Sequence, residues 1–416
     1  MNARLQTTDQ PLRLPTRHTM APLISIREAP RPGQAPGFAL WALGFRPFYL
    51  LASGFAALST ALWALQFSGL LGHAYLQGPL WHAHEMLFGF TLAVLVGFLL
   101  TAGRNWSGQA TPTGKPLAAM ALLWLAGRIL VLTPWGWAAA LVNTAFPLVA
   151  ALALGVAFYK GRNQRNYFFV ALLLLMALAE AGVHLSALGL LQIPGWVGIG
   201  LALDAMLFIL CVMAGRVIPM FTDNGVPGAK AVRQPQLEKA ALGLVLALLL
   251  ADLLQLSGSA LALLALLGAA AHLARWLLWQ PWKTLRNPLV WILHLAYAWI
   301  PLHLLLRALA AWGLVPPSAA THALTAGAIG CMVIGMVTRT ALGHTGRALQ
   351  AGSTERLCYA LVALAALVRV GWPLLAPGQL VGAVLLSAVL WSAGFAWYTL
   401  RYWPILSRAR RDGLPG

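Results

Sequence analysis

The stretch Trp81-His82-Ala83-His84-Glu85-Met86-Leu87-Phe88-Gly89-Phe90 opens an apolar run that continues to Ala102. A run of this length and polarity reads as a membrane-spanning helix, yet two imidazoles and a carboxylate stand at its start. Ionisable groups in hydrocarbon are costly, so they face a protein interior and serve a proton, an ion or a metal. On a regular helix the side chains of His82 and His84 point about 200° apart, so one metal cannot take both. One is left to ligate a haem iron while the other faces a second centre or a hydrogen-bond partner. The plainer alternative is that one or both are capping or interfacial residues near the headgroups.

The rest of the chain is built in the same way. Of 416 residues, 60% are hydrophobic and 9% charged, and the mean hydropathy is +0.75. That much apolar surface excludes a water-soluble fold and implies an all-α polytopic membrane protein. Twelve apolar runs fall near 47–69, 82–102, 117–133, 138–159, 167–189, 197–219, 237–255, 260–279, 288–312, 318–338, 357–372 and 379–400. The loops 70–81, 134–137, 190–196, 256–259, 313–317 and 373–378 hold no Lys or Arg, whereas every alternate connection is basic. Basic loops stay in the cytoplasm, which places both termini there. The net charge of +18 is therefore a topology signal and an attraction to anionic membrane lipid, with no nucleic-acid partner implied. Residues 1–40, proline-rich and basic, lack the apolar core and cleavage site of a signal peptide and read as a disordered cytoplasmic arm. Residues 41–406 form the membrane domain and 407–416 a cytoplasmic tail. Cys211, Cys331 and Cys358 lie in or beside apolar runs, which argues against a disulfide scaffold; with no C-x-x-C-H, any haem is held without thioether links.

A repeat of about 119 residues runs through the chain. Gly97, Gly215 and Gly335 are spaced 118 and 120 apart, and Arg46, Arg165 and Arg286, which open spans one, five and nine, 119 and 121. Twelve spans thus divide into three four-helix arcs. In this register His84 corresponds to His322, with Ala202 in the middle copy, and His184 corresponds to His303, 119 residues on. These four, with His82 and His73, gather in the outer half of the membrane.

A six-coordinate haem takes two imidazoles from different helices, and His84 with His322 meets that need; otherwise each bonds a backbone carbonyl. His184, His303 and His82 suit a copper or second iron site, with His294 deeper on span nine. Glu180, four residues before His184, shares its helix face and is placed to orient that imidazole. Glu85 is a candidate for a proton path. Asp204 and Asp252 are the other carboxylates within apolar runs. Arg128, Arg216, Arg307 and Arg369 either hold haem propionates or pair with these acids. His272 and His344 lie toward the cytoplasm, and His344, in an apparent turn, suits a structural role.

Several of these motifs together resemble the NnrS family: Gly44-Phe45-Arg46-Pro47-Phe48, Trp81 to Gly89, Gly215-Arg216-Val217-Ile218-Pro219 with Phe221 and Thr222, Leu342 to Arg347, and Leu400 to Leu406. The likeness covers roughly 38–406. It departs at Arg104, where a proline is expected before Asn105-Trp106. The resemblance implies a multi-pass protein of the bacterial inner membrane that contains haem and copper and is linked to nitric oxide metabolism and nitrosative stress. It carries over to His82, His84, Glu85, Arg216, His322 and His344. The reading that follows is a haem b protein that binds nitric oxide in the outer half of the membrane and detoxifies it by reduction. With no dinucleotide fingerprint in the chain, electrons would come from a quinol or an electron-transfer protein. Two other classes compete: a non-catalytic haem or copper binder or sensor of nitric oxide, and a transporter, which internal repeats also suit. Pro219 and Pro301, the candidates for broken helices, lack repeat-equivalent prolines.

Overall fold

In lipid every backbone polar group must be satisfied within the chain, so each apolar run closes into a helix. The computed structural model describes residues 37–72 and 75–413. Among them are twelve helices: α1 Phe45–Phe67, α2 Gly78–Ser107, α3 Gly114–Leu130, α4 Gly136–Lys160, α5 Gln164–Ala187, α6 Gly195–Gly225, α7 Pro235–Leu253, α8 Gly258–Leu278, α9 Pro288–Ala311, α10 Pro317–His344, α11 Ser353–Leu375 and α12 Pro377–Leu406. Ten are long and apolar enough to cross a membrane. The other two are α3, of 17 residues, and α7, which carries Glu238, Lys239 and Asp252. Helix ends match the sequence expectation closely, except that α2, α6, α10 and α12 each extend further on the basic side, to Ser107, Gly225, His344 and Leu406. Exposed Trp135, Trp137, Trp196 and Trp312 girdle the Lys/Arg-poor end and Tyr159, Trp282 and Trp403 the basic end, as amphipathic rings do at headgroup level. The helices run unbroken through Pro219 and Pro301.

The arcs join into a ring. Helix α4 packs on α5, α8 on α9, and α12 returns to α1, all three as extensive seams. Arg46 fastens the last seam: buried at the start of α1, it donates through Nη1 to the carbonyls of Leu406 (2.9 Å) and Arg408 (2.8 Å). Phe38 and Arg408 form an antiparallel bridge, so the described ends of the chain lie on one side of the bundle. Residues 37–40 of the expected arm are thus part of the fold, with Leu40 buried. Residues 1–36, 73–74 (with His73 among them) and 414–416 lie outside the described residues.

Structural landmarks recur with the repeat. Helices α1, α5 and α9 are each followed by a glycine in the left-handed region, Gly69, Gly189 and Gly313, with φ of +75°, +75° and +74°; glycine takes this conformation without strain and stops the helix. The glycines that first indicated the period sit at close approaches. A Cβ on Gly97 would lie 2.8 Å from Phe48 of α1, one on Gly335 2.9 Å from Ile292 of α9, and one on Gly215 would overlap the Arg275 guanidinium of α8. A π-helical turn at Glu85–Thr91 follows His84, and another at Ala323–Ile329 follows His322, in the same register. The sequence pattern did not announce these turns. Such turns concentrate at functional sites because they displace side chains from α-helical register.

A buried polar network joining α7, α8 and α9 is fully satisfied. Arg275 forks onto Glu238 at 2.9 and 2.5 Å and donates to Tyr297 Oη at 2.9 Å. Tyr297 in turn meets His272 Nδ1 at 2.7 Å, and His272 Nε2 lies 3.2 Å from the Ala241 carbonyl. Both His272 nitrogens are engaged, which fits a structural role.

The side assignment is open to a direct check. With Ser257→Cys and Ser353→Cys, both at exposed positions, a membrane-impermeant thiol reagent applied to intact cells should label the first and not the second. Labelling of position 353 alone would invert the topology.

Candidate metal centre

Helix α2 begins at Gly78-Pro79, where proline suits a helix N-terminus, and brings His84 to the edge of the π turn. Facing it, α5 presents Glu180 and His184, four residues apart and hence on one face. The Nε2 atoms of His84 and His184 are 3.1 Å apart, and Glu180 Oε1 lies 3.5 Å from His84 Nε2. One donor atom from each of the three lies within 4.8 Å of the others, and all three side chains are buried.

The surroundings fix which nitrogens are free. Glu85 Oε1 is 2.7 Å from His84 Nδ1 and accepts from Arg128 Nη1 at 2.7 Å. A carboxylate only accepts, so His84 carries its proton on Nδ1 and turns a bare Nε2 lone pair toward the cluster. Arg128 also donates to Asn143 Oδ1, which anchors α3 to α4. On the other side Tyr75 Oη lies 3.2 Å from His184 Nδ1, with the two rings parallel to within 5°. Burial pushes the Tyr75 phenol up to about 12, so it stays protonated. With that proton donated to the His184 carbonyl at 3.4 Å, its oxygen accepts from His184 Nδ1–H and leaves His184 Nε2 bare toward the cluster.

This donor set fits a metal ion. Two imidazole nitrogens and a carboxylate oxygen converge, each imidazole held from behind by an acidic or phenolic partner, as metal-ligating histidines commonly are. Glu85 is matched by Arg128. Glu180 forms no ion pair with a Lys or Arg among the described residues, and its Oε2 is buried without a partner. A bound cation would supply the missing positive charge.

The expected pairing of His84 with His322 is not the one formed. His322 donates from Nδ1 to the Ser318 carbonyl at 2.7 Å, and its ring lies parallel to that of His82, with centroids 6.5 Å apart. His82 stacks on Trp63 at 4.9 Å, and its Nδ1 is buried without a partner. The repeat explains the difference. The second helix of each arc meets the first helix of the next, so α2 faces α5, α6 faces α9 and α10 faces α1. On α1, 119 residues before Glu180 and His184, stand Ala61 and Leu65, both exposed, so α1 repeats neither donor; 118 residues after His84, on α6, stands Ala202. His303, on α9, is turned to α10 instead. Its Nδ1 is engaged by the Ala320 carbonyl at 2.8 Å, and its Nε2 is buried without a partner. His184, His303 and His82 therefore do not gather into one site.

His294 Nε2 donates to Thr222 Oγ1 at 2.8 Å, because that hydroxyl itself donates to Ile218; the contact ties α9 to α6. Arg216 lies far along α6 from the cluster, where it donates to Asn166 at 3.2 Å and covers Phe168 and Phe169. His344 packs on Phe45 at 5.3 Å. Glu180 reaches His84 directly instead of orienting His184, and Glu85 holds an imidazole. Tyr75 and Asn143 were not anticipated. Neither a lone loop tyrosine nor an asparagine in an apolar run carries a spacing signal.

A profile of the family described as NnrS protein matches residues 39–410. The chain belongs to the NnrS family. No curated protein matches it. The matched region spans all twelve helices, so the Trp81–Gly89 motif lies inside it and contributes His84 and Glu85 to the buried group. The motifs around Arg216 and His344 lie at the opposite end of the bundle.

Tyr75→Phe tests the arrangement. Loss of a hydrogen bond to a ligating imidazole typically weakens metal affinity ~10–100-fold. A competition titration with a chelator should show a loss of that order with the helical content unchanged.

Proposed function

We propose that this protein binds nitric oxide at a metal ion held by His84, His184 and Glu180 and detoxifies it by reduction. The observation that carries the reading is the buried two-imidazole, one-carboxylate group in a family linked to the nitric oxide response. A redox-active ion suits the donor set, since imidazole and carboxylate take copper or non-haem iron. Such an ion supplies a coordination position for nitric oxide and a route for single electrons. For the haem that the family resemblance implies, His82 and His322 are the candidates whose rings lie parallel to each other outside this group. The lone pair on His322 Nε2 and the orphaned His82 Nδ1 suit ligation.

The protein's own groups have definite tasks in this reading. Glu85 and Arg128 keep His84 in one tautomer. Tyr75 holds the His184 ring. The free Oε2 of Glu180 is an atom on which a proton can rest beside the site. Apolar helices exclude bulk water yet admit nitric oxide, which is small, neutral and soluble in lipid. The overall reduction takes two nitric oxide molecules, two protons and two electrons to nitrous oxide and water. The electrons come from an external donor, a quinol or an electron-transfer protein.

Anaerobic turnover with purified protein, a chemical donor and nitric oxide tests the proposal. Consumption accompanied by nitrous oxide in a 2:1 ratio is expected. Stoichiometric binding without turnover would replace the enzyme by a binder.

A further inference from the structure

At the same Lys/Arg-poor end of the bundle, a second cluster of ionisable side chains takes no part in the metal group. Asp204 of α6 and Asp252 of α7 line a partly open cavity of about 360 Å³, with Trp196, Gln255 and Ser257 also in its wall. Arg307 of α9 reaches both acids: Nη1 lies 3.3 Å from Asp204 Oδ1, and Nη2 pairs with Asp252 Oδ2. Two carboxyl groups therefore share one guanidinium.

With both acids ionised, the cluster would carry a net negative charge among apolar helices, which is strongly unfavourable. Carboxyl groups close to each other resist ionising together. Asp204 and Asp252 are held against the same guanidinium, that of Arg307, and line the same cavity. Asp204 is only 5% exposed, and its Oδ2 is buried with no hydrogen-bond partner. A proton on the pair meets both demands, since it satisfies the orphaned oxygen and brings the cluster to neutrality with Arg307. His303, one turn before Arg307 on α9, is a further titratable group on that helix, and its Nδ1 is occupied by the Ala320 carbonyl.

We propose that Asp204 and Asp252 hold one proton between them and exchange it with water through this cavity, on the side of the membrane where the loops lack Lys and Arg. The site rests on its own geometry and not on the metal reading.

Dicyclohexylcarbodiimide, an apolar reagent that captures protonated carboxyls and spares carboxylates, tests the proposal on the purified full-length protein. Mass spectrometry should find the adduct on Asp204 or Asp252 at neutral pH. Labelling should fall as pH rises and vanish in Asp204→Asn/Asp252→Asn. As a second readout, the infrared band of a protonated carboxyl should shift on exchange into deuterium oxide and disappear in each single variant. Absence of the adduct from both aspartates in the wild-type protein, together with absence of that exchangeable band, would overturn the proposal. Both readouts on the wild-type protein are independent of whether a variant folds and of whether metal is bound.

Discussion

Replacing His184 or His84 by alanine should strip the metal from the protein and abolish nitric oxide consumption. Loss of a partner that merely orients a ligand costs ~10–100-fold in affinity, so removal of a ligand should exceed the upper end of that range. The two substitutions should act alike, because the imidazoles meet nitrogen to nitrogen at 3.1 Å on facing helices. Glu180→Gln keeps the shape and an amide oxygen but loses the charge, so it should retain some metal and bind it more weakly. His303→Ala should leave this metal in place, because His303 lies at a different helix junction and is engaged by Ala320. Elemental analysis of the purified variants, alongside nitric oxide electrode traces, checks this pattern. Loss of the metal with His303→Ala and retention with His184→Ala would contradict it.

The second large effect concerns Arg128. Its guanidinium is 6% exposed and pairs with Glu85, itself 1% exposed. Removing one member of a buried pair leaves the other charge without compensation, which typically costs ~3–5 kcal/mol. Arg128→Met should therefore lower the thermal stability of the detergent-solubilised protein sharply. Glu85→Gln/Arg128→Met removes both charges and should recover most of that loss. It should still bind metal, more weakly, since a glutamine oxygen can accept from His84 Nδ1. Thermal unfolding of the four members of the cycle provides the measurement. Equal destabilisation in the single and double variants would show that Arg128 acts through packing instead.

Much of this was legible in the sequence because composition and loop charge report directly on membrane helices. Twelve apolar runs became twelve helices, and the repeat register foretold that His84 and His322 occupy equivalent positions, each just before a π turn. His184 and His303 stand five and ten residues before the glycines that end their helices, more than a turn out of step. The register did not say which helices would face each other. Equivalence under a ring-forming repeat means that His84 and His322 each look to the following arc, so they cannot be assumed to meet. His84 finds Glu180 and His184 on α5, whereas His322 finds the ring of His82 and the Ser318 carbonyl of its own helix. Glu180 was correctly tied to His184 by its four-residue spacing, but that spacing could not reveal that its carboxylate reaches across to His84. The choice for Arg128 between a propionate and an acid was equally beyond a one-dimensional reading, because its partners Glu85 and Asn143 come from two other helices. The π turns after His84 and His322 were invisible too, since a π turn shifts the register by a single residue and leaves no mark in hydropathy.

The central claim is that His84, His184 and Glu180 together hold a metal ion. X-ray absorption at the metal edge of the purified protein tests it most directly, with the wild type compared against His184→Ala. The expected result is a first shell containing two imidazoles and at least one further light-atom ligand, with that signal lost in the variant. A wild-type protein whose only metal is a porphyrin iron, or whose metal spectrum is unchanged by His184→Ala, would contradict the claim.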